Sequence, residues 1–229
     1  MTSLIGDAMT EQLQRLDARI AAGMPRLGWK VGINVPEVQQ QVGLTHALVG
    51  WLDGERCYGS GDSVPLSASA KVHAEVELCV RIGSAVDAHS DRAHALAAVD
   101  ALAPALELVD YGIRAQDLPG VIRCSMFQYA TVLGSWQPPR ADIAIAADVT
   151  LRVDDVHAAP AREELVPGHL GDLVLFVAQQ LAAAGRELQP GDLILSGCFV
   201  AKALPLRAGQ SAEARLGDFG SVSCHATQS

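Results

Sequence analysis

The 229-residue chain sets 26 acidic against 17 basic side chains, a formal charge of −9, and so lacks the basic footprint that nucleic-acid phosphates require. Hydrophobic residues make up 49% and charged residues 19%, a globular balance that excludes a long disordered tail. No apolar run approaches membrane-spanning length and no basic-then-apolar leader opens the chain, so neither a span nor a secretory signal is expected, and a cytoplasmic location is the default. A chain of this length supports one sizeable core; we expect a single catalytic domain over residues 1–229, with residues 1–27 as a helical segment packed on it. The five cysteines form no C-x-x-C pair, which fits reduced thiols in a reducing compartment.

Residues 9–23 place Leu13, Leu16 and Ile20 at helical spacing, with Gly23 as the stop. Next, Gly28-Trp29-Lys30-Val31-Gly32-Ile33 sets a lysine between glycines in an apolar run, the pattern of a buried strand whose backbone something approaches closely. A lysine there must pair with a carboxylate or bind something. Pro36 opens a short helix that Gly43 stops. Residues 48–52 read as a strand, Asp53-Gly54 as a turn, and residues 59–63 as a loop before Val64-Pro65-Leu66.

Residues 71–82 carry the chemistry. Period two puts Val72, Ala74, Val76, Leu78, Val80 and Ile82 on one face and His73, Glu75, Glu77, Cys79 and Arg81 on the other. Two residues along a strand span roughly 6.5 Å, so Glu75 and Glu77 aim the same way from neighbouring pleats. Such carboxylates repel unless a positive charge sits between them, and a hard cation with oxygen ligands, Mg2+ or Mn2+, would supply it; a solvated strand face is the plainer alternative.

Beyond it, the alanine-rich residues 91–104 predict a helix capped by Asp91 and ended by Pro104, and residues 105–110 a strand that buries Glu107. A buried carboxylate must be protonated, paired or shared with a cation. Residues 123–134 could begin helical and end as strand. Residues 145–153 predict a strand, Asp154-Asp155 a turn, and the chain returns toward Pro160. The spacing predicts a helix over 169–184, with Leu173, Val177 and Leu181 on one flank. The remainder alternates short apolar strands (192–196, 200–205, 211–216, 221–225) with glycine and proline turns, which suits a coiled, barrel-like β structure. There is no dinucleotide fingerprint, Walker loop, nucleophile elbow or H-E-x-x-H motif, and the seven histidines form no tight cluster.

Four stretches in order, Gly28-Trp29-Lys30-Val31-Gly32, Glu75-Val76-Glu77, Glu107-Leu108-Val109-Asp110 and Pro190-Gly191-Asp192-Leu193-Ile194-Leu195-Ser196-Gly197, resemble the fumarylacetoacetate hydrolase superfamily, in its branch of 2-hydroxypentadienoate hydratases and 4-oxalocrotonate decarboxylases. The resemblance implies an α+β fold, a mixed coiled β roll flanked by helices, assembled as a homodimer or higher homo-oligomer. It implies that Glu75, Glu77 and Glu107 hold Mg2+ or Mn2+, that Lys30 and His73 are the catalytic candidates, and that Lys30, Leu48, Ser196 and Gly197 lie at the substrate. The implied activity is a lyase reaction, hydration or decarboxylation, on a small anionic 2-oxo or enol acid through an enolate. A carbon-carbon bond hydrolase and a catalytically inactive binding homologue are the alternatives. Three departures bear on the choice. Leu48 replaces the hydratases' aspartate, where decarboxylases also carry an apolar residue; His73 replaces an arginine; and Tyr111-Gly112 replaces Ser-Arg.

Overall fold

The computed structural model describes residues 2–140, 149–159 and 168–229. The expected strand residues 145–148 and the end of the expected return at Pro160 lie outside them. Helix α1 (Thr2–Ala21) begins a full two turns before the expected residue 9. It packs through Leu13 and Leu16, and its Gln12 side-chain amide donates to the carbonyl of Ile122 at 2.6 Å.

The larger sheet has eight strands. Along its main path the order is β2 (Leu48–Asp53), β1 (Arg26–Gly32), β10 (Leu193–Leu195), β5 (Val72–Ile82), β6 (Val99–Asp110), β7 (Gln128–Leu133) and β3 (Cys57–Gly59). A two-residue strand, β11 (Leu204–Pro205), pairs with β5 beside β10. The sheet mixes parallel pairs, β1 with β10 and β3 with β7, with antiparallel ones. It is also strongly curled. Although β2 and β7 stand five places apart, the Ser125 hydroxyl, just before β7, donates to the carbonyl of Trp51 in β2 at 2.8 Å. The second sheet runs β4 (Ser63–Leu66), β13 (Ser221–Gln228), β12 (Ser211–Leu216), β8 (Val149–Val153) and β9 (Val156–Ala158). The main core fills the space between the sheets and under α5 (Leu170–Ala182), with Val76, Leu78, Leu106, Leu151, Val177 and Val222 all fully buried.

The dry face expected for β5 is this core face. The opposite face turns into the hollow of the curled sheet instead of into solvent, and Glu77 and Cys79 are buried there. Helix α2 (Pro36–Gln41) forms at the expected proline, but the helix after Asp91, α3, spans only Arg92–Ala97, and residues 99–104 belong to β6. Alanine's helical preference is weak against burial on both faces beside β5, to which β6 is paired over its whole length. Pro104 is tolerated because its missing N–H faces the side where β7 runs out; Gly134 N–H, just past the end of β7, still donates to the Pro104 carbonyl at 2.8 Å. Of the expected 200–205 strand, Leu204–Pro205 pairs with β5 and Val200 makes an isolated bridge; residues 200–203 form an arch, because between Phe199 and Leu204 the chain advances five residues against two of β5.

Candidate metal centre and pocket

The antiparallel register of β5 and β6 sets Glu75 directly opposite Glu107, with Glu77 one pleat further along β5. One carboxylate oxygen from each lies within 4.8 Å of the other two; among the described residues this is the one group of three or more His, Cys, Asp or Glu side chains so placed. Each is held differently. Gly197 N–H donates to Glu77 at 2.8 Å, and the Tyr111 hydroxyl donates to Glu75 at 3.3 Å. Lys30 forms a close ion pair with Glu107 Oε1, and Glu107 Oε2 is buried with no hydrogen-bond partner.

Lys30 reaches this centre from the far side of the hollow. On β1, Gly28, Lys30 and Gly32 share the inner face while Trp29 and Val31 enter the main core. The expected close approach is real: a Cβ on Gly32 would meet Met126 Sδ at 2.5 Å, and one on Gly50 would meet Ser125 Oγ at 2.6 Å. The approaching segment is a left-handed turn in which Ser125, Met126 and Phe127 have φ of 51°, 51° and 66°. That conformation is costly for side-chain-bearing residues. It aims the Met126 carbonyl at Lys30, which donates to it at 3.2 Å.

Electrostatics follow from the packing. Burial pushes the Glu75 carboxyl up from 4.5 to about 7, and the charge of Glu107 adds to the shift. Burial drives Glu77 well above the usual carboxylate range, with Glu107 and Glu75 contributing. Burial alone would pull Lys30 down, but Glu107, Glu75 and Glu77 together outweigh it and hold its pKa raised. One ammonium against three carboxylates leaves a deficit of positive charge, and an orphaned oxygen points into it. An all-oxygen, anionic donor set of this kind fits Mg2+ or Mn2+.

The centre opens into a pocket of about 830 Å³, within the range of small-molecule sites. Its walls include Val38, Val109, Leu118, Phe127 and Val200. His73, Tyr111 and Phe127 form an aromatic row on it, with ring centroids 4.8 Å and 5.4 Å apart. Of the residues singled out from sequence, Lys30, His73, Glu75, Glu77 and Glu107 line this pocket together. Leu48, Ser196 and Gly197 do not. Leu48 is buried with Ala8, Leu44, Ile122 and Met126, behind the turn that faces Lys30. Ser196 Oγ accepts from the Leu78 N–H at 3.1 Å, which prolongs the pairing of β10 with β5. Gly197 has φ +97°, and a Cβ there would fall 1.8 Å from the Asn34 amide nitrogen; the geometry that aims its N–H at Glu77 requires glycine. Sequence reasoning missed Tyr111, Phe127, Asn34 and Lys202 as pocket residues. Only Tyr111 carried a signal, its place in the segment that departs from Ser-Arg.

Comparison with known proteins agrees with this geometry. The chain is 28% identical over 220 residues to a 4-oxalocrotonate decarboxylase from a Pseudomonas species, covering 94% of this chain and 85% of that protein. It is 26% identical over 226 residues to a 2-keto-4-pentenoate hydratase from Paraburkholderia xenovorans, covering 95% and 82%. The fold matches that of 4-oxalocrotonate decarboxylase from Pseudomonas putida G7, solved with magnesium and adipate, at a TM-score of 0.85 and 20% identity over 97% of this chain and 86% of the other. Residues 29–226 match the fumarylacetoacetate (FAA) hydrolase C-terminal family. The chain belongs to that family, its curled sheet bringing three carboxylates from β5 and β6 to the head of one pocket.

Proposed function

We propose that this chain is a divalent-metal-dependent lyase, a hydratase or decarboxylase, acting on a small anionic 2-oxo or enol acid, with residues 1–229 as one catalytic unit. The observation that carries the reading is the convergence of Glu75, Glu77 and Glu107 beside Lys30, with Glu107 Oε2 left unpartnered at the head of an apolar-walled pocket. Its relatives' names supply the reaction classes, and the magnesium in the decarboxylase structure supports Mg2+ or Mn2+ as the ion.

Bound there, the cation would supply Lewis-acid stabilisation of negative charge developing on the acid. The chain's own groups do the rest. An ammonium has three donors, and Lys30 uses two on Glu107 and Met126, so one is left to orient a substrate carboxylate. Its raised pKa keeps it cationic, which favours this binding role over that of a base. His73 Nδ1 lies 3.0 Å from the Lys71 carbonyl, a group that only accepts, so Nδ1 is the donor and, in the neutral ring, Nε2 carries the lone pair. On the pocket wall beside Tyr111, His73 is placed to take a proton from, or return it to, a substrate carbon. Val109, Phe127 and Val200 limit the water that would quench a carbanionic species.

Mn2+ titration of the purified protein, with ultraviolet absorbance assays on 2-hydroxypentadienoate and oxaloacetate, tests the reading. Glu75→Gln combined with Glu107→Gln should abolish both Mn2+ binding and turnover. Unchanged binding in that double variant overturns the proposed centre, and absence of turnover despite tight binding by the wild type overturns the lyase assignment.

A further inference from the structure

Two buried polar atoms stand on paired residues of β6 and β7 with nothing to bond. Glu107 is the register partner of Thr131, and both Glu107 Oε2 and Thr131 Oγ1 are buried without a hydrogen-bond partner.

The strand pattern sends the threonine hydroxyl to the side of the acidic centre. β7 leaves the left-handed turn that follows helix α4 (Leu118–Arg123), and its Ala130 and Val132 enter the main core. Thr131, between them, turns to the inner face of the curled sheet, as Glu107 does. It is fully buried and does not line the pocket, so it lies behind Glu107 as seen from there. Paired residues on one sheet face bring their Cβ atoms to about 5 Å. A short side chain such as threonine therefore works on Glu107 or on its other partner, Cys57 of β3. The thiol is a weak acceptor, and burial raises its pKa and keeps it protonated.

A buried hydroxyl left unbonded is costly, and valine would fill the same space without that cost. The carboxylate offers what the threonine lacks. Lys30 occupies Glu107 Oε1, whereas Oε2 has two unused lone pairs, one for a hydroxyl and one for the ion site. Rotation about one Thr131 side-chain bond, or a single buried water, closes the gap. Gln128 Nε2 is also buried and unpartnered, but Gln128 is opposite Val109 and only diagonal to Glu107.

We infer that Thr131 is a positioning residue of the metal centre: its hydroxyl engages Glu107 Oε2 from behind and, with Lys30 on Oε1, locks the carboxylate in the orientation that holds a divalent ion. This rests on the proposed centre and adds to it a residue that no substrate touches.

The test is Mn2+ affinity by calorimetry, with the paramagnetic resonance spectrum of the bound ion recorded alongside and no substrate present. Thr131→Val keeps the side chain's shape and should weaken binding by roughly tenfold, the scale of losing a partner behind a metal ligand. Thr131→Ser keeps the hydroxyl and should recover most of the affinity. The bound-Mn2+ spectrum should change in Thr131→Val and not in Thr131→Ser, a signature that altered packing alone does not produce. Should valine crowd the hollow and prevent folding, Thr131→Ala carries the same expectation. Gln128→Leu should cost less than Thr131→Val. Affinity unchanged in Thr131→Val, equal losses in the valine and serine variants, or a larger loss in Gln128→Leu overturns the inference while leaving the centre standing. Wild-type protein that binds no Mn2+ overturns both.

Discussion

The hollow of the curled sheet has two halves built on the same strands and facing the same way, yet they do opposite things. Toward one end, β5 and β6 contribute Cys79, Ala103 and Ala105, and Leu52, Leu193 and Leu195 pack over them. Toward the other, the same two strands contribute Glu75, Glu77 and Glu107 to an open pocket. The change from thiol to carboxylate takes two residues of β5. The backbone therefore does not distinguish core from site; the side chains and what closes over them do. Small and apolar partners shut one half. Two bare glycines, a left-handed turn and a lysine shape the other. The dry half adds stability, and the acidic half is tolerated because each of its charges meets an opposite charge, a donor or the ion that fits it.

That contrast can be broken from either side. The largest expected effect is Lys30→Met, which strips the buried Glu107 carboxylate of its partner. In metal-free protein it should lower unfolding free energy by about 3 kcal/mol in urea denaturation, and saturating Mn2+ should recover part of the loss. A smaller loss of about 2–3 kcal/mol is expected from Leu52→Ala in the dry half, with Mn2+ affinity kept within roughly threefold because the centre lies elsewhere in the hollow. A collapse of metal affinity in Leu52→Ala would show that the halves act as one unit. The smallest effect is a pH dependence. The folded carboxyl of Glu75 titrates at about 7 against 4.5 for an ordinary glutamate, so across that window the folded protein holds a proton that the unfolded chain has lost. Stability of metal-free protein is then fully present below pH 4.5, falls as pH rises toward about 7, and levels off above it. Melting temperatures in EDTA at pH 5 and pH 7.5 should show a larger drop for wild type than for Glu75→Gln; equal drops would place the raised titration on another group.

How much of this was legible beforehand differs between elements. The faces of β5 were, because period two over eleven residues is a strong pattern and its core side is uniformly apolar. Glu75 and Glu77 stood out as like charges on one strand face, and Glu107 as a carboxylate that a strand would bury. Residues 99–104 were not legible as strand: alanine carries little β signal of its own, and only burial on both faces beside β5 places them in the sheet. The arch at residues 200–203 was equally hidden, since its shape depends on two anchors, Val76 and Ala74, more than a hundred residues earlier. The Met126 turn beside Lys30 could be anticipated only as an unnamed neighbour of Gly32.

Glu75, Glu77 and Glu107 grow from the two longest strands among the described residues, paired with each other along their length, whereas the pocket's rim is assembled from short connections such as residues 115–118 and 198–203. The acidic head of the pocket is thus fixed by the least deformable part of the molecule, and its rim by the most replaceable parts. On the proposed lyase reading, grafting a different rim onto this scaffold would change which acid is accepted without touching the three carboxylates.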